Sequence, residues 1–430
     1  MRFARLQCDG AGAPLGIEEL AASGQLDFLQ LDYPRARWAK VDGAAEAALP
    51  ECAIGFCDAL RAIVKPLYLD PQLHLFASAG WADAYGAVER AAGVLVEGGC
   101  GDVPVAAVRG SNVEPILEML EEEGVDLSHA ETGAPWRELK APVLAADLQL
   151  GGGPLALALA ESARVIVAGA FDPTAPLVAA AVHRHGWKWR DCNLLASAIA
   201  GARAATWIDW QAYAGEAPAA RPWRPQVVEL DSSGRLLLET PHGNGDGATR
   251  LQEWLRMGNG NADDALHPDV REERAALECH RLNASQLEIT GAQGAASDDC
   301  WELEVLYQTG FVVETMVEFA AESDLRWRQH LATMARASLP ANRDLDEHLT
   351  IEELHGSSGG GWLHLGFQSK SRPTAQQFAE QTMKLVAAHR PHVRLSVRPE
   401  VHVHCNCWPV RVPRDAVDIA VETRIAREWL

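Results

Sequence analysis

The sequence predicts an α/β fold: a layered Rossmann-like domain with a mostly parallel sheet, followed by a ferredoxin-like α+β domain. Three observations carry this expectation. Over the first 210 residues, short apolar runs that end in small or polar residues alternate with amphipathic helical patterns. Strands buried on both faces and separated by helices build parallel sheets. A Pro/Ala-rich stretch, "AGEAPAARPWRP" (214–225), has linker composition. The last third then runs strand–helix–strand–strand–helix–strand, the split βαβ order. The expected division is 1–225, a bridging hairpin with an irregular segment over 226–300, and 301–430.

The elements follow in order. "LDFLQLDY" (26–33), "PQLHLFASAG" (71–80), "PVLAADL" (142–148) and "RVIVAGA" (164–170) are the expected strands of the first sheet. In "SNVEPILEMLEEEG" (111–124), Val113, Ile116, Leu117 and Leu120 recur at helical spacing, with glutamates opposite. Ser111 and Glu114 fit a capping box, and Gly124 fits a helix stop. "QVVELDSSGRLLLET" (226–240) predicts a hairpin turning at Ser233-Gly234, and "HGNGDG" (242–247) a loop. In the last third, strands are expected at 310–319, 349–356, 361–370 and 401–412, and helices at 322–339 and 373–390. Leu363, Leu365 and Phe367 should share one strand face, and Ala375, Phe378, Ala379, Thr382, Leu385 and Val386 one helix face.

A net charge of −21 argues against a nucleic-acid partner, since phosphate binding needs a basic surface. No apolar run approaches the roughly 18–20 residues that span a bilayer, so no membrane segment is expected. The opening "MRFARLQCDGAG" has no apolar centre and does not fit a signal peptide. Nine cysteines, an odd number without a pairing pattern, fit a reduced, cytoplasmic protein.

Several segments could carry chemistry. "QLGGGPLALALAES" (149–162) sets Gly151, Gly152 and Gly153 between a strand and a helix, where backbone can approach a ligand and helix N–H groups can receive an anion. It lacks the spacing of a dinucleotide or P-loop fingerprint, and a tight turn is the plainer alternative. Asp172-Pro173, after an expected strand, fits a helix start with Asp at the N-cap and Pro at the first helical position. The same aspartate sits where acid–base work or ligand binding is done, and the two roles are compatible. His183 and His185 fall on different helix faces. Cys100 and Asp102 share a glycine-rich turn, but no base is assignable to the thiol. In "HVHCNCW" (402–408) the histidines and cysteines alternate across a strand, so no metal site is expected.

The ordered series "GDVPVAAVRGSNVEPILEMLEEEGVDL", "LAADLQLGGGPLALAL", "GAFDPTAPL", "HRHGW" and "LLASAIAG" resembles the acyclic terpene utilisation (AtuA) family. "QVVELDSSGRLLLETPHGNGDG", "LHPDVR" and "WPVRVPRDAV" extend the resemblance along nearly the whole chain. It implies a place in the breakdown of citronellol- or geraniol-type compounds through branched acyl-CoA intermediates. The implied ligand is a branched or unsaturated carboxylate or its CoA thioester, and the implied reaction a lyase, hydratase or hydrolase step, with no cofactor assigned. Asp172 and Asp32 are the catalytic candidates, and Gly80, Gly151, Gly152, Gly153, Asp147 and Asp102 the ligand-binding ones. A self-associating homo-oligomer is expected. The alternative is a non-catalytic binding or scaffold homologue tied to acyl-CoA carboxylation or self-assembly. The sequence departs from the family pattern in three places. Ala170 stands where an arginine usually follows the strand-end glycine, the segment after "AIAG" is shortened, and a glycine run is absent between His389 and His402. An arginine is a natural carboxylate clamp, so these departures mark a diverged member.

Overall fold

The computed structural model describes residues 1–8, 12–33, 50–81, 83–207, 225–239, 246–257, 267–319, 348–355, 361–389 and 393–430, with four helical positions between 329 and 336. Most of the expected 214–225 linker, most of the 242–247 loop and most of the 322–339 helix lie outside the described residues.

The protein is a mixed α/β structure with one large mixed sheet and smaller ones beside it. The centre of the large sheet is parallel: β1 (Arg2–Gln7), β2 (Phe28–Asp32), β3 (His74–Ala77), β6 (Val165–Ala168) and β4 (Pro104–Arg109), in that spatial order. The helices α1 (Ile17–Ala22), α2 (Phe56–Leu69) and α3 (Ala84–Glu97) pack with Ala4, Leu6, Leu29, Leu31, Leu75 and Val167 in one apolar cluster. A second cluster joins Phe3, Phe28, Phe76, Ile166 and Ala168 to α4 (Leu117–Glu122), α5 (Gly152–Ala160), α6 (Ala175–His185) and α7 (Cys192–Ala204). Alternate residues of each strand therefore feed different clusters, as pleating requires.

The expectation of a mostly parallel sheet is corrected at both edges. Beyond β1, the hairpin β7 (Val227–Leu230) and β8 (Leu236–Glu239), then β11 (Gln286–Thr290) and β10 (Glu278–Arg281), pair antiparallel. Beyond β4, the late strand β17 (Ala420–Ile425) does the same. Much of the segment expected to be irregular before residue 300 thus extends the sheet. It also includes α8 (Gly247–Met257) and a two-stranded pair, β9 (Val270–Glu273) with β12 (Gln293–Ala296). The hairpin turn is as expected: Gly234 has φ +86°, and Asp231 Oδ1 accepts from Ser233 N and Arg235 N.

A second correction concerns β5 (Val143–Gln149). It leaves the parallel sheet and pairs antiparallel with the first half of β13 (Cys300–Phe319). The second half of β13 pairs with β15 (Gly361–Ser369), which pairs with β14 (His348–His355), while β16 (Val393–Pro413) follows β13 along its length. Leu363, Leu365 and Phe367 are buried on one face of β15, against Ala375, Phe378, Ala379, Thr382 and Val386 of α9 (Arg372–Ala388). The expected helix at 111–124 is shorter, because the Ser111 hydroxyl caps nothing there. It accepts from Ala170 N at 3.3 Å, while Asn112 Oδ1 takes Glu114 N. Gly124, at φ +87°, does end the helix.

Among the described residues, no helix is long and apolar enough to cross a membrane. All nine cysteines are free thiols.

Candidate functional site at the strand ends

The chain after β3 turns toward α3, on one face of the sheet, and the chain after β6 turns toward α6, on the other. Ligands of open α/β sheets bind beside such divergences, outside the carboxyl ends of the strands. Here the strand ends are drawn tightly together. Gly80 N donates to Ala168 O at 2.9 Å, and a Cβ on Gly169 would lie 2.4 Å from Ser111 Oγ and 3.0 Å from Gly80 O. Gly169→Ala is therefore expected to cost about 2 kcal/mol by overpacking, read as a lower urea midpoint at unchanged m-value.

On the face covered by α5–α7, strand alternation gathers Arg5, Gln30, Asp32 and Ser78. Gln30 is fully buried, Asp32 is 7% exposed and Ser78 5%. Arg5 Nη2 donates to Asp32 Oδ2 at 2.5 Å, and Ser78 Oγ donates to Asp32 Oδ1 at 3.3 Å. Gln30 Nε2 donates to Pro173 O at 3.0 Å, tying β2 to the approach of α6. Arg5 Nε and Gln30 Oε1 are buried without a hydrogen-bond partner among the described residues. Arg5 and Gln30 are register partners across β1 and β2, so the two side chains leave neighbouring backbone positions on the same face. The first atom is a donor and the second an acceptor.

Asp172 lies at the start of α6, but two residues earlier than an N-cap. The helix begins at Ala175, and Asp172 Oδ1 accepts from Thr174 N and Thr174 Oγ1, both at 2.7 Å. The turn and the first helical residues are thereby held without Asp172 being the cap itself. His267 Nε2 stands 3.1 Å from the same Oδ1 and 2.6 Å from Thr174 Oγ1. Asp269 N donates to His267 Nδ1 at 3.0 Å, so in the neutral ring the proton sits on Nε2, facing Asp172 and Thr174. Burial works against ionisation of Asp172, but His267 and Thr174 outweigh it and hold the carboxyl well below the usual range. Burial also opposes charge on His267; Asp172, Asp269 and Glu272 overcome it and raise the imidazole above its ordinary value. Among the described residues no hydrogen bond reaches Asp172 Oδ2, and the side chain is 21% exposed. One oxygen is locked and the other is available.

The glycine turn has a different occupant from the one its spacing suggested. Asp269 Oδ2 accepts from Gly152 N at 2.7 Å, so the N-terminus of α5 holds the chain's own carboxylate. A Cβ on Gly151 would lie 2.3 Å from Asp269 Oδ1, and one on Gly152 would lie 3.1 Å from Ala175 O and Ala179 N. These two glycines admit the aspartate and the close crossing of α5 on α6; Gly153 has open space around its Cα. A ligand anion would have to displace Asp269.

Asp32, Gly80 and Asp172 thus share the carboxyl end of the sheet. Asp147 does not line it in the way its segment suggested. It is a buried residue of β5, opposite Glu304, bridged to Asn112. Asp102 lies at the other end, before β4, with its side chain 80% exposed and paired to Arg427 at 2.6 Å. Cys100 is buried, and burial pushes its thiol up, away from nucleophilic use. His185 donates to Leu230 O and packs on Trp187.

Sequence reasoning passed over Arg5, Gln30, His267 and Asp269. Arg5 and Gln30 interrupt otherwise apolar strands on the same face, a readable signal of buried polar function. His267 and Asp269 lay in the quoted "LHPDVR", but nothing in local spacing joins them to Asp172.

Residues 12–206 match the model of a family described as acyclic terpene utilisation family protein AtuA. Residues 12–206, a little under half of the chain, are similar to that family. The AtuA-like stretch includes Asp32, Gly80, Gly152 and Asp172, whereas Arg5, His267 and Asp269, which complete their surroundings, lie outside it. No curated protein and no solved structure gives a significant match to the chain.

Proposed function

We propose that this AtuA-like protein serves terpenoid or branched-acid breakdown by binding a branched or unsaturated carboxylate, or its CoA thioester, across the ends of β2, β3 and β6. A Rossmann-like layering of the first part, a ferredoxin-like second part, self-association and a cytoplasmic setting belong to the same proposal. The observation that carries it is the unmatched donor and acceptor on Arg5 and Gln30, beside the approach to α6. A guanidinium N–H with no partner is suited to a carboxylate, and Gln30 Oε1 to a ligand hydroxyl or amide. Asp172 Oδ2 supplies a second, anionic acceptor.

The depressed pKa bears on the reaction. A carboxylate held this low is ionised at neutral pH and is a weak base, better at orienting a hydroxyl or a water than at removing a proton from carbon. Hydration or hydrolysis assisted by an oriented water fits this better than carbanion chemistry. The same observation favours the second reading, a non-catalytic binding homologue.

Thermal-shift and calorimetric titration with branched free acids, their CoA esters and nucleotides tests the proposal. One of the first two classes should raise the melting point, since a ligand stabilises only the state it prefers. Asp172→Asn should then weaken binding about tenfold, the weight of a charge-assisted hydrogen bond. Binding equally tight in Asp172→Asn and Gln30→Leu would remove this site from consideration. Turnover lost in Asp172→Asn separates the enzyme from the binding homologue.

A further inference from the structure

A second cluster lies on the opposite face of β2, independent of the proposed ligand site. Asp32 points toward α5–α7, while its neighbour Tyr33 belongs to the apolar cluster under α1–α3. Tyr33 is 2% exposed, its ring meets Phe56 edge-on at 6.0 Å, and its hydroxyl has no nitrogen or oxygen partner among the described residues. Burial, and after it the neighbouring Cys8, Cys52 and Cys57, pushes the phenol far above its ordinary range.

Cys52 Sγ donates to Ala53 O at 3.7 Å, and the two thiols of Cys52 and Cys57 lie close enough to shift each other's titration. The backbone brings them together: Phe56 N donates to Ala53 O at 3.2 Å, folding the chain back, and Ala53 N donates to Ala79 O at 2.8 Å, anchoring it to the end of β3. Cys57 sits in the first turn of the 14-residue helix α2, where unsatisfied N–H groups favour a thiolate. Arg61, one turn on, and Arg90 of α3 face it, with Asp58 opposing and Glu51 beside Cys52. Both cysteines are half-buried and within reach of a small reagent.

We propose that Cys52 and Cys57 form a redox-responsive dithiol, Cys57 attacking and Cys52 resolving, that closes to a disulfide on meeting a small-molecule disulfide. The Cys57 thiolate attacks one sulfur of the reagent, breaks its S–S bond and expels one thiolate. Cys52 then loses its proton, attacks the Cys57 sulfur and expels the second. The protein gives up two electrons and two protons, and the reagent leaves as two thiols. The neighbouring Cys52 thiol and the two arginines lower Cys57 to about 7, while Cys57 and burial hold Cys52 high. Capping Cys57 removes the charge that Cys52 was stabilising, which frees Cys52 to ionise for the second step.

Peptide-resolved alkylation of the full-length wild-type protein with iodoacetamide is the first test. Cys57 should label about fivefold faster at pH 7 than the half-buried Cys405, whose thiol burial pushes up, because more of Cys57 is thiolate. Oxidised glutathione should then yield a Cys52–Cys57 bridge, two hydrogens lighter by peptide mass. Cys52→Ser should stop at a glutathione adduct on Cys57, and that adduct should resolve in the wild type. Labelling of Cys57 no faster than of Cys405, or a persistent Cys57 adduct in the wild type, would overturn the proposal.

Discussion

Arg5→Met is expected to lower the unfolding free energy by about 3 kcal/mol, because it leaves the Asp32 carboxylate buried without its cation. Both side chains are only 9% exposed, so water does not take over the lost contact. The 3.3 Å bond from Ser78 remains, but a neutral hydroxyl does not replace a guanidinium. Adding Asp32→Asn to Arg5→Met should restore most of the loss, since a buried pair contributes little net stability while half a pair is costly. Urea unfolding of the single and double variants measures both. A single-variant cost below about 1 kcal/mol would show Asp32 to be solvated or paired elsewhere. Arg5→Met should also abolish binding of the carboxylate ligand, connecting the stability of this cluster to the proposed function.

The second large effect is at His267, which is 6% exposed and holds Asp172, Thr174 and the backbone of Asp269 together. His267→Ala removes the partner of Asp172 and loosens Asp269, the carboxylate seated on α5, at a cost of about 3 kcal/mol. The pH dependence has two sides. Asp172 has a depressed folded pKa, so its contribution is full above the unfolded value of 3.8 and lost as pH falls. His267 has a raised folded pKa, so its contribution is full below the unfolded value of 6.5 and lost as pH rises through the folded value. The difference between wild type and His267→Ala should therefore peak between about pH 4 and 6.5 and shrink on either side. A difference that stays flat from pH 4 to 9 would show that the pair is held by shape alone.

The two clusters show why the site was only partly readable. That Asp32, Gly80 and Asp172 are neighbours is legible because each ends an apolar run, and the ends of parallel strands lie together. The glycines at 151–152 are legible for the same reason, but their purpose is hidden. Their tightness answers to Asp269 and to α6, and neither is near them in sequence. Thr174 and His267 are 93 residues apart, and Asp269 reaches Gly152 across 117. The first sheet was overextended by β5, whose apolar pattern suits either sheet; only its pairing with β13 decides.

By itself, the sequence determined the local matters: which runs are strands, which residues of β15 and α9 point inward, and where Gly124 and Gly234 turn the chain. Repeats of 2 and 3.6 residues are properties of the backbone, so they survive without knowledge of neighbours. Tertiary structure alone decided which sheet each strand joins and that β17 returns to the first. It also decided that the group seated on the start of α5 is the Asp269 carboxyl. Those outcomes depend on contacts between distant segments, and local periodicity does not encode which distant segment a surface will meet.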